Sequence, residues 1–160
     1  MRSIFLSFVA IAVTIMAAMP VLAGGPVYVI RHLERAPGDA DPSLSERGAA
    51  RAEQLAALLA NAKIKAVFAT ATKRAQETGA PLAKAAGLQV TTYDPRDVDA
   101  LAAAVEAAGG PVLVVGHSNT VASLVAKFGG AKPAELTEQD YGTLFVVHEG
   151  TAQVNRIDLN

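Results

Sequence analysis

Cysteine is absent from these 160 residues, which removes disulfides, thiolate metal centres and a cysteine nucleophile together. Its absence also takes away the acceptor that a bacterial lipoprotein signal requires, so lipid attachment near residue 24 is excluded. Tryptophan is missing too, and aromatic residues make up only 5% of the chain, too few for the stacking platforms that hold single-stranded nucleic acid. Neither sign of charge is in excess. Fourteen Lys and Arg stand against fifteen Asp and Glu, a net charge of -1, which gives no global field for nucleic acid or anionic membranes. Nucleic acid is therefore not an expected partner, and any preference for an anion must be built locally.

One long apolar run is present, at the start. Met1, Arg2 and Ser3 are weakly basic, residues 4–19 are almost continuously apolar, and Pro20, Val21, Leu22 and Ala23 end in a small-x-small-like cleavage site. This is the pattern of a secretory signal (1–23) cut after Ala23, leaving one domain at 24–160, secreted or periplasmic, with no stable membrane insertion once the signal is gone. A retained anchor is the alternative, although the run falls short of the ~20 residues a span needs. Oligomeric state is not legible.

The rest alternates strand and helix. Gly24, Gly25 and Pro26 open an apolar strand at 27–30, and a Pro, Gly and Asp-rich loop fills 35–44. Ser45 reads as the N-cap of a helix to about residue 61. A strand at 66–69, a helix at 73–86 ending on Gly87, a strand at 88–93, a helix at 97–108, a strand at 112–115 and a helix capped by Ser118 through 128 follow. Two further strand-like runs, 143–147 and 151–159, meet at Glu149 and Gly150, a hairpin signal. The order predicts an α/β fold, a three-layer αβα sandwich whose sheet is mostly parallel with an antiparallel C-terminal edge hairpin.

Two histidines end strand-like runs: His32 after Val29, Ile30 and Arg31, and His117 after Val114, Val115 and Gly116. If both runs are parallel strands, both imidazoles emerge at the carboxyl edge where open α/β sheets bind ligands. Arg31 beside the first, and Arg74 just beyond the 66–69 strand, would make that edge a pocket for an anion such as phosphate. The backbone amides at Ser118 and Asn119 would add donors at a helix start. Phosphoryl transfer to an enzyme group needs a nucleophile, positive groups around the equatorial oxygens and an acid for the leaving oxygen. A neutral imidazole is nucleophilic near pH 7 when a hydrogen bond holds one nitrogen.

These motifs resemble the histidine phosphatase superfamily, the phosphoglycerate-mutase-like enzymes, across nearly all of residues 26–148. Val29-Ile30-Arg31-His32 with Glu34 is similar to the family's Arg-His signature. Leu44-Ser45-Glu46-Arg47-Gly48 with Ala52 is similar to its Leu-(Ser/Thr)-x-x-Gly helix start. Thr70, Arg74-Ala75 and Thr78 resemble its second arginine motif, and Val115-Gly116-His117-Ser118 its late Gly-His element. The resemblance implies that His32 is the phosphorylated nucleophile and that Arg31, Arg74, His117 and Ser118 form the phosphate pocket.

Two departures stand out. Leu33 replaces the Gly that usually follows the nucleophile, and a side chain there is expected to alter how closely backbone approaches the pocket. Ser118 stands where the acid phosphatase branch has Asp, so that proton donor is missing. Glu34 leads the candidates for the acid, ahead of Asp39, Asp41 and Glu77, which read more readily as turn formers and a helix-surface group. No metal cofactor is expected, since the three histidines are far apart in sequence with no ligand spacing. The expected activity is a phosphatase acting through phospho-His32 on a phosphorylated small molecule or phosphopeptide. A mutase, or an inactive phosphate- or phosphopeptide-binding module, is the alternative.

Overall fold

The computed structural model describes residues 24–38, 40–148 and 154–159. The expected secretory signal, Asp39 and the hairpin turn at Glu149 and Gly150 lie outside the described residues. In chain order the elements are β1 (Val27–Arg31), α1 (Glu46–Leu58), β2 (Ala66–Ala69), α2 (Lys73–Ala85), β3 (Val90–Thr92), α3 (Val98–Ala108), β4 (Val112–Gly116), α4 (Ser118–Lys127), β5 (Thr143–Val147) and β6 (Val154–Asp158).

The strands form one sheet in the order β3-β2-β4-β1-β5-β6. Pairing is parallel from β3 through β1, and antiparallel at β1–β5 and β5–β6. Side chains of successive strand residues point to opposite faces. Ile30, Leu113 and Val115 pack with Leu55 of α1 and Leu82 of α2, while Val29, Val112 and Val114 pack with Leu101 of α3 and Leu124 of α4. A strand covered on both faces must be apolar at every position, which is why β4 is buried from end to end. Each fully buried Val or Leu here contributes about 1.5–3 kcal/mol. The sandwich and its antiparallel edge are those the sequence predicts.

Helix starts are fixed locally. Ser45 Oγ accepts from Gly48 N at 3.2 Å, capping α1 as expected. Gly48 itself lies against the chain leaving β1, for a Cβ there would sit 2.2 Å from the Glu34 carbonyl oxygen. The glycine of this motif is thus required by a close backbone approach. Gly109 ends α3 in the left-handed region, at φ 63°.

Three expectations shift. Helix α1 stops at Leu58 rather than near 61, and β3 is only three residues long because its pairing with β2 covers Val90 to Thr92 alone. The N-cap of α4 is His117, not Ser118. Thr120 Oγ1 accepts from His117 N at 2.9 Å, and Ser118, now the first helical residue, has its hydroxyl free for another partner.

Candidate active site

Strand register assembles the site. Arg31 of β1 is paired with Gly116 of β4, so the residue after each strand end is a histidine, side by side at the carboxyl edge. His32 N donates to Gly116 O at 2.9 Å, and the two imidazole centroids are 5.2 Å apart. Chain direction reverses its march across the sheet here: β2 and β3 lie beyond β4, which returns to sit between β2 and β1. That is the crevice where open α/β sheets bind ligands.

The crevice is an open, polar cavity of about 670 Å³ lined by Arg31, His32, Arg74, His117, Ser118 and Glu138 among others. Five of the six residues expected at the site therefore meet there. Glu34 does not: its Oε1 accepts from Arg51 and is 3.2 Å from Arg47 Nε, so its carboxylate is turned toward α1 rather than into the cavity. Glu77 and Asp41 are also committed elsewhere. Glu77 Oε2 accepts from Leu44 N at 2.7 Å and pins the 35–44 loop. Both Asp41 oxygens accept from Lys73 N, at 3.1 and 3.2 Å, replacing the missing side-chain cap of α2, and one lies 3.5 Å from Arg74 Nη1.

Leu33, which stands where the family usually has Gly, does not line the cavity. Its side chain is completely buried in the α1/α2 side of the core. Its backbone does the local work instead. Leu33 N donates to Thr78 Oγ1 at 3.0 Å, Thr78 Oγ1 donates to Arg74 O at 2.7 Å, and Leu33 O lies 2.9 Å from His32 Nδ1. A carbonyl oxygen can only accept, so Nδ1 carries the proton. The neutral ring then has a bare lone pair at Nε2, which has no hydrogen-bond partner among the described residues.

Neutrality is enforced. Burial lowers the pKa of His32 to about 4, and Arg31, Arg74 and His117 push the same way against the Leu33 hydrogen bond. His117 is lowered by burial and by Arg74 and Arg31, with Glu138 opposing them, and its Nε2 is 2.8 Å from Thr70 Oγ1. The cations face the cavity but are not idle. Arg31, 1% exposed, donates through Nη1 to Thr137 O at 2.7 Å and Asp140 O at 3.2 Å, and through Nη2 to Glu138 Oε2 at 3.0 Å. Its guanidinium also lies 4.2 Å from the centroid of the Tyr141 ring.

Glu138 was not found from sequence. Its Oε1 accepts from Ser118 Oγ at 2.7 Å while Oε2 pairs with Arg31, and these two partners hold its pKa low, with a further contribution from His32. Nothing local in the polar 129–142 stretch distinguishes it from Glu135 or Gln139. Only the turn that carries it, folded onto Arg31, brings it in. Among the described residues no group of three His, Asp or Glu is placed to hold a metal ion, and no helix is long and apolar enough to cross a membrane.

The model of the histidine phosphatase superfamily (branch 1) matches residues 27–96, from β1 to the turn before α3. No curated protein matches the sequence significantly. Among solved structures the chain is similar to the protein histidine phosphatase SixA complexed with tungstate, at TM-score 0.67 and 22% identity over 83% of this chain and 96% of that one. It is also similar to the α-ribazole phosphatase of Shigella flexneri, at TM-score 0.61 and 16% identity over 84% and 96%. A third likeness is to mycobacterial glucosyl-3-phosphoglycerate phosphatase with inorganic phosphate, at TM-score 0.57 and 18% identity over 86% and 96%. At such identities the likeness is one of fold. The family match over residues 27–96 and these shared folds support the superfamily resemblance carried by the sequence motifs.

Proposed function

We propose that the chain hydrolyses phosphate monoesters in two steps through a phosphohistidine at His32, and that it does so outside the cytoplasm, secreted or periplasmic. The location rests on the sequence of residues 1–23 alone. The observation that carries the chemistry is the His32 ring: its proton is held at Nδ1 by Leu33 O, its acidity keeps it neutral down to about pH 4, and its free nitrogen shares a cavity with three potential anion donors. Nε2 attacks phosphorus while Arg31, Arg74 and His117 stabilise the charge on the transferring oxygens, with Ser118 and the first amides of α4 adding neutral donors. Water then cleaves the P–N bond and frees His32.

The test compares purified wild-type protein with His32→Ala on a panel of sugar phosphates, nucleotides, phytate and phosphopeptides. Removing the nucleophile is expected to lower kcat by about 10⁴-fold or more, and ³²P from substrate is expected to appear as an acid-labile label on wild type only. A His32→Ala protein that keeps most of the activity refutes the mechanism. Phosphate binding without turnover or label would identify a binding module, and transfer of phosphate to an added hydroxyl a mutase.

A further inference from the structure

Resting on the phosphatase reading, one gap is left: the group that supplies the leaving oxygen with a proton and later takes one from water. Of the sequence candidates described, Glu34 is held by Arg47 and Arg51, Glu77 by Leu44 N, and Asp41 by Lys73 N and Arg74. Glu138 carries the one carboxylate among the described residues that line the cavity. We infer that Glu138, on the turn before β5, is the general acid and then the general base of the reaction.

Its placement is built rather than incidental. Asp140 N donates to Thr137 O at 3.2 Å, and the Asp140 carboxylate accepts from Thr137 N and Thr137 Oγ1 at 2.7 and 2.8 Å, closing a tight turn with Glu138 near its tip. Arg31 Nη1 binds the carbonyls of both Thr137 and Asp140. The arginine proposed to hold the phosphoryl group thus also anchors the turn that presents the carboxylate. Glu138 is two-thirds exposed along its side chain, so the group can swing while its backbone stays fixed.

The charges facing it set its protonation. At rest the Ser118 hydroxyl and the Arg31 guanidinium favour the carboxylate, and His32 and His117 are the titratable rings close enough to feel it. An incoming phosphoryl group competes for Arg31 Nη2 and Ser118 Oγ and adds negative charge beside the carboxylate, and both changes raise its affinity for a proton. A substrate monoanion, ROPO₃H⁻, can deliver that proton on binding. In the first step the Glu138 O–H proton passes to the ester oxygen as the P–O bond breaks and the bond from His32 Nε2 to phosphorus forms, releasing ROH and leaving Glu138 ionised. In the second, Glu138 takes a proton from water as its oxygen bonds phosphorus and the P–N bond breaks. Phosphate leaves, and neutral His32 returns.

The experiment is Glu138→Gln, with Glu138→Asp as the conservative control, assayed on p-nitrophenyl phosphate and on β-glycerophosphate. An alkoxide needs a proton to leave and a nitrophenolate does not. The expected result is a loss of about 10²–10³-fold in kcat/KM for β-glycerophosphate, with kcat/KM for p-nitrophenyl phosphate lowered far less while its kcat falls and phospho-His32 accumulates because the water lacks its base, partial recovery in Glu138→Asp, and loss of the alkaline limb of the glycerophosphate kcat/KM profile. Equal losses in kcat/KM on both esters, or a lowered KM with kcat unchanged, overturn the inference, the latter because Glu138 would then be only a resident anion that competes with substrate. Wild-type protein that turns over neither ester and takes no label at His32 overturns the phosphatase reading itself.

Discussion

The floor and the rim of the cavity are made differently. The floor comes from strand ends: Arg31 and His32 are consecutive at the end of β1, and His117 stands level with His32 across a parallel pair whose register is locked by buried apolar side chains on both faces. The rim comes from the 35–44 and 129–142 segments, where position depends on side chain to backbone contacts such as Arg31 to Thr137 O and Glu77 to Leu44 N. Slipping the floor by one residue would turn every core side chain of β1 out of its cluster. Shifting the rim costs a few hydrogen bonds. Reacting groups that must not move sit on the floor, while a carboxylate that must exchange partners sits on the rim.

Arg31 belongs to both, so Arg31→Lys is the change that most severely tests the distinction. A lysine ammonium is a point charge that cannot reproduce the planar set of donors reaching Thr137 O, Asp140 O and Glu138 together. The expected loss is about 10²–10³-fold in kcat/KM, larger on β-glycerophosphate than on p-nitrophenyl phosphate because the turn carrying Glu138 is released as well. If Arg31→Lys weakens both esters equally, the rim does not depend on the floor.

A second test separates the two regions by pH. The folded-state pKa of His32, about 4, lies below the ordinary 6.5 because the ring is buried among cations. Between these values the unfolded chain binds a proton that the folded chain refuses, so this group makes stability fall as pH is lowered from about 6.5 toward 4 and adds no further change below. Urea melts over this range should show the decline in wild type and a flatter profile in His32→Asn. The rim carboxylates act in a different window: the lowered pKa values of Glu138 and Asp140 give stability that is present above the normal carboxylate range and lost below it. A wild-type profile flat between pH 6.5 and 4 would mean that the floor histidine is not held neutral by its surroundings.

The same division decides what could be read from sequence. His32, His117, Arg31 and Arg74 were legible because strand ends are marked by apolar runs and a sheet edge gathers them by topology. Gly48 and Thr78 belong to readable motifs, although their reasons, a backbone approach to Glu34 and a bond to Leu33 N, appear only in three dimensions. Leu33 is expected from sequence to alter the backbone's approach to the pocket, but sequence does not show which way its side chain leaves the strand, which is into the core. Glu34 looked well placed through its closeness to His32, yet a residue three positions beyond a strand end has turned a corner, and its neighbours became Arg47 and Arg51 of α1. Glu138 was missed for the converse reason. It lies 107 residues from Arg31 in a stretch without periodicity, and no local pattern encodes a contact over that separation.

The smallest expected effect concerns a rim residue with no such commitment. Arg35 lines the cavity and is exposed, and none of the described carboxylates forms an ion pair with it. Arg31 and Arg74, in contrast, each face one. Its backbone is fixed, since Arg35 bridges to Leu44 and Ala36 N donates to Ser43 O at 2.9 Å. A positive charge on an anchored backbone at the mouth of an anion pocket should attract a second anionic group on the substrate, beyond the phosphoryl being transferred. Exposed pairs contribute roughly 0.2–1 kcal/mol, so Arg35→Ala should raise KM by about 1.4- to fivefold for a substrate with a second charge, such as 3-phosphoglycerate, and leave kcat alone. For p-nitrophenyl phosphate, which has no second anion, KM should stay unchanged. Equal shifts in KM for both would move Arg35 from the rim to the floor, as a direct contact of the reacting phosphate.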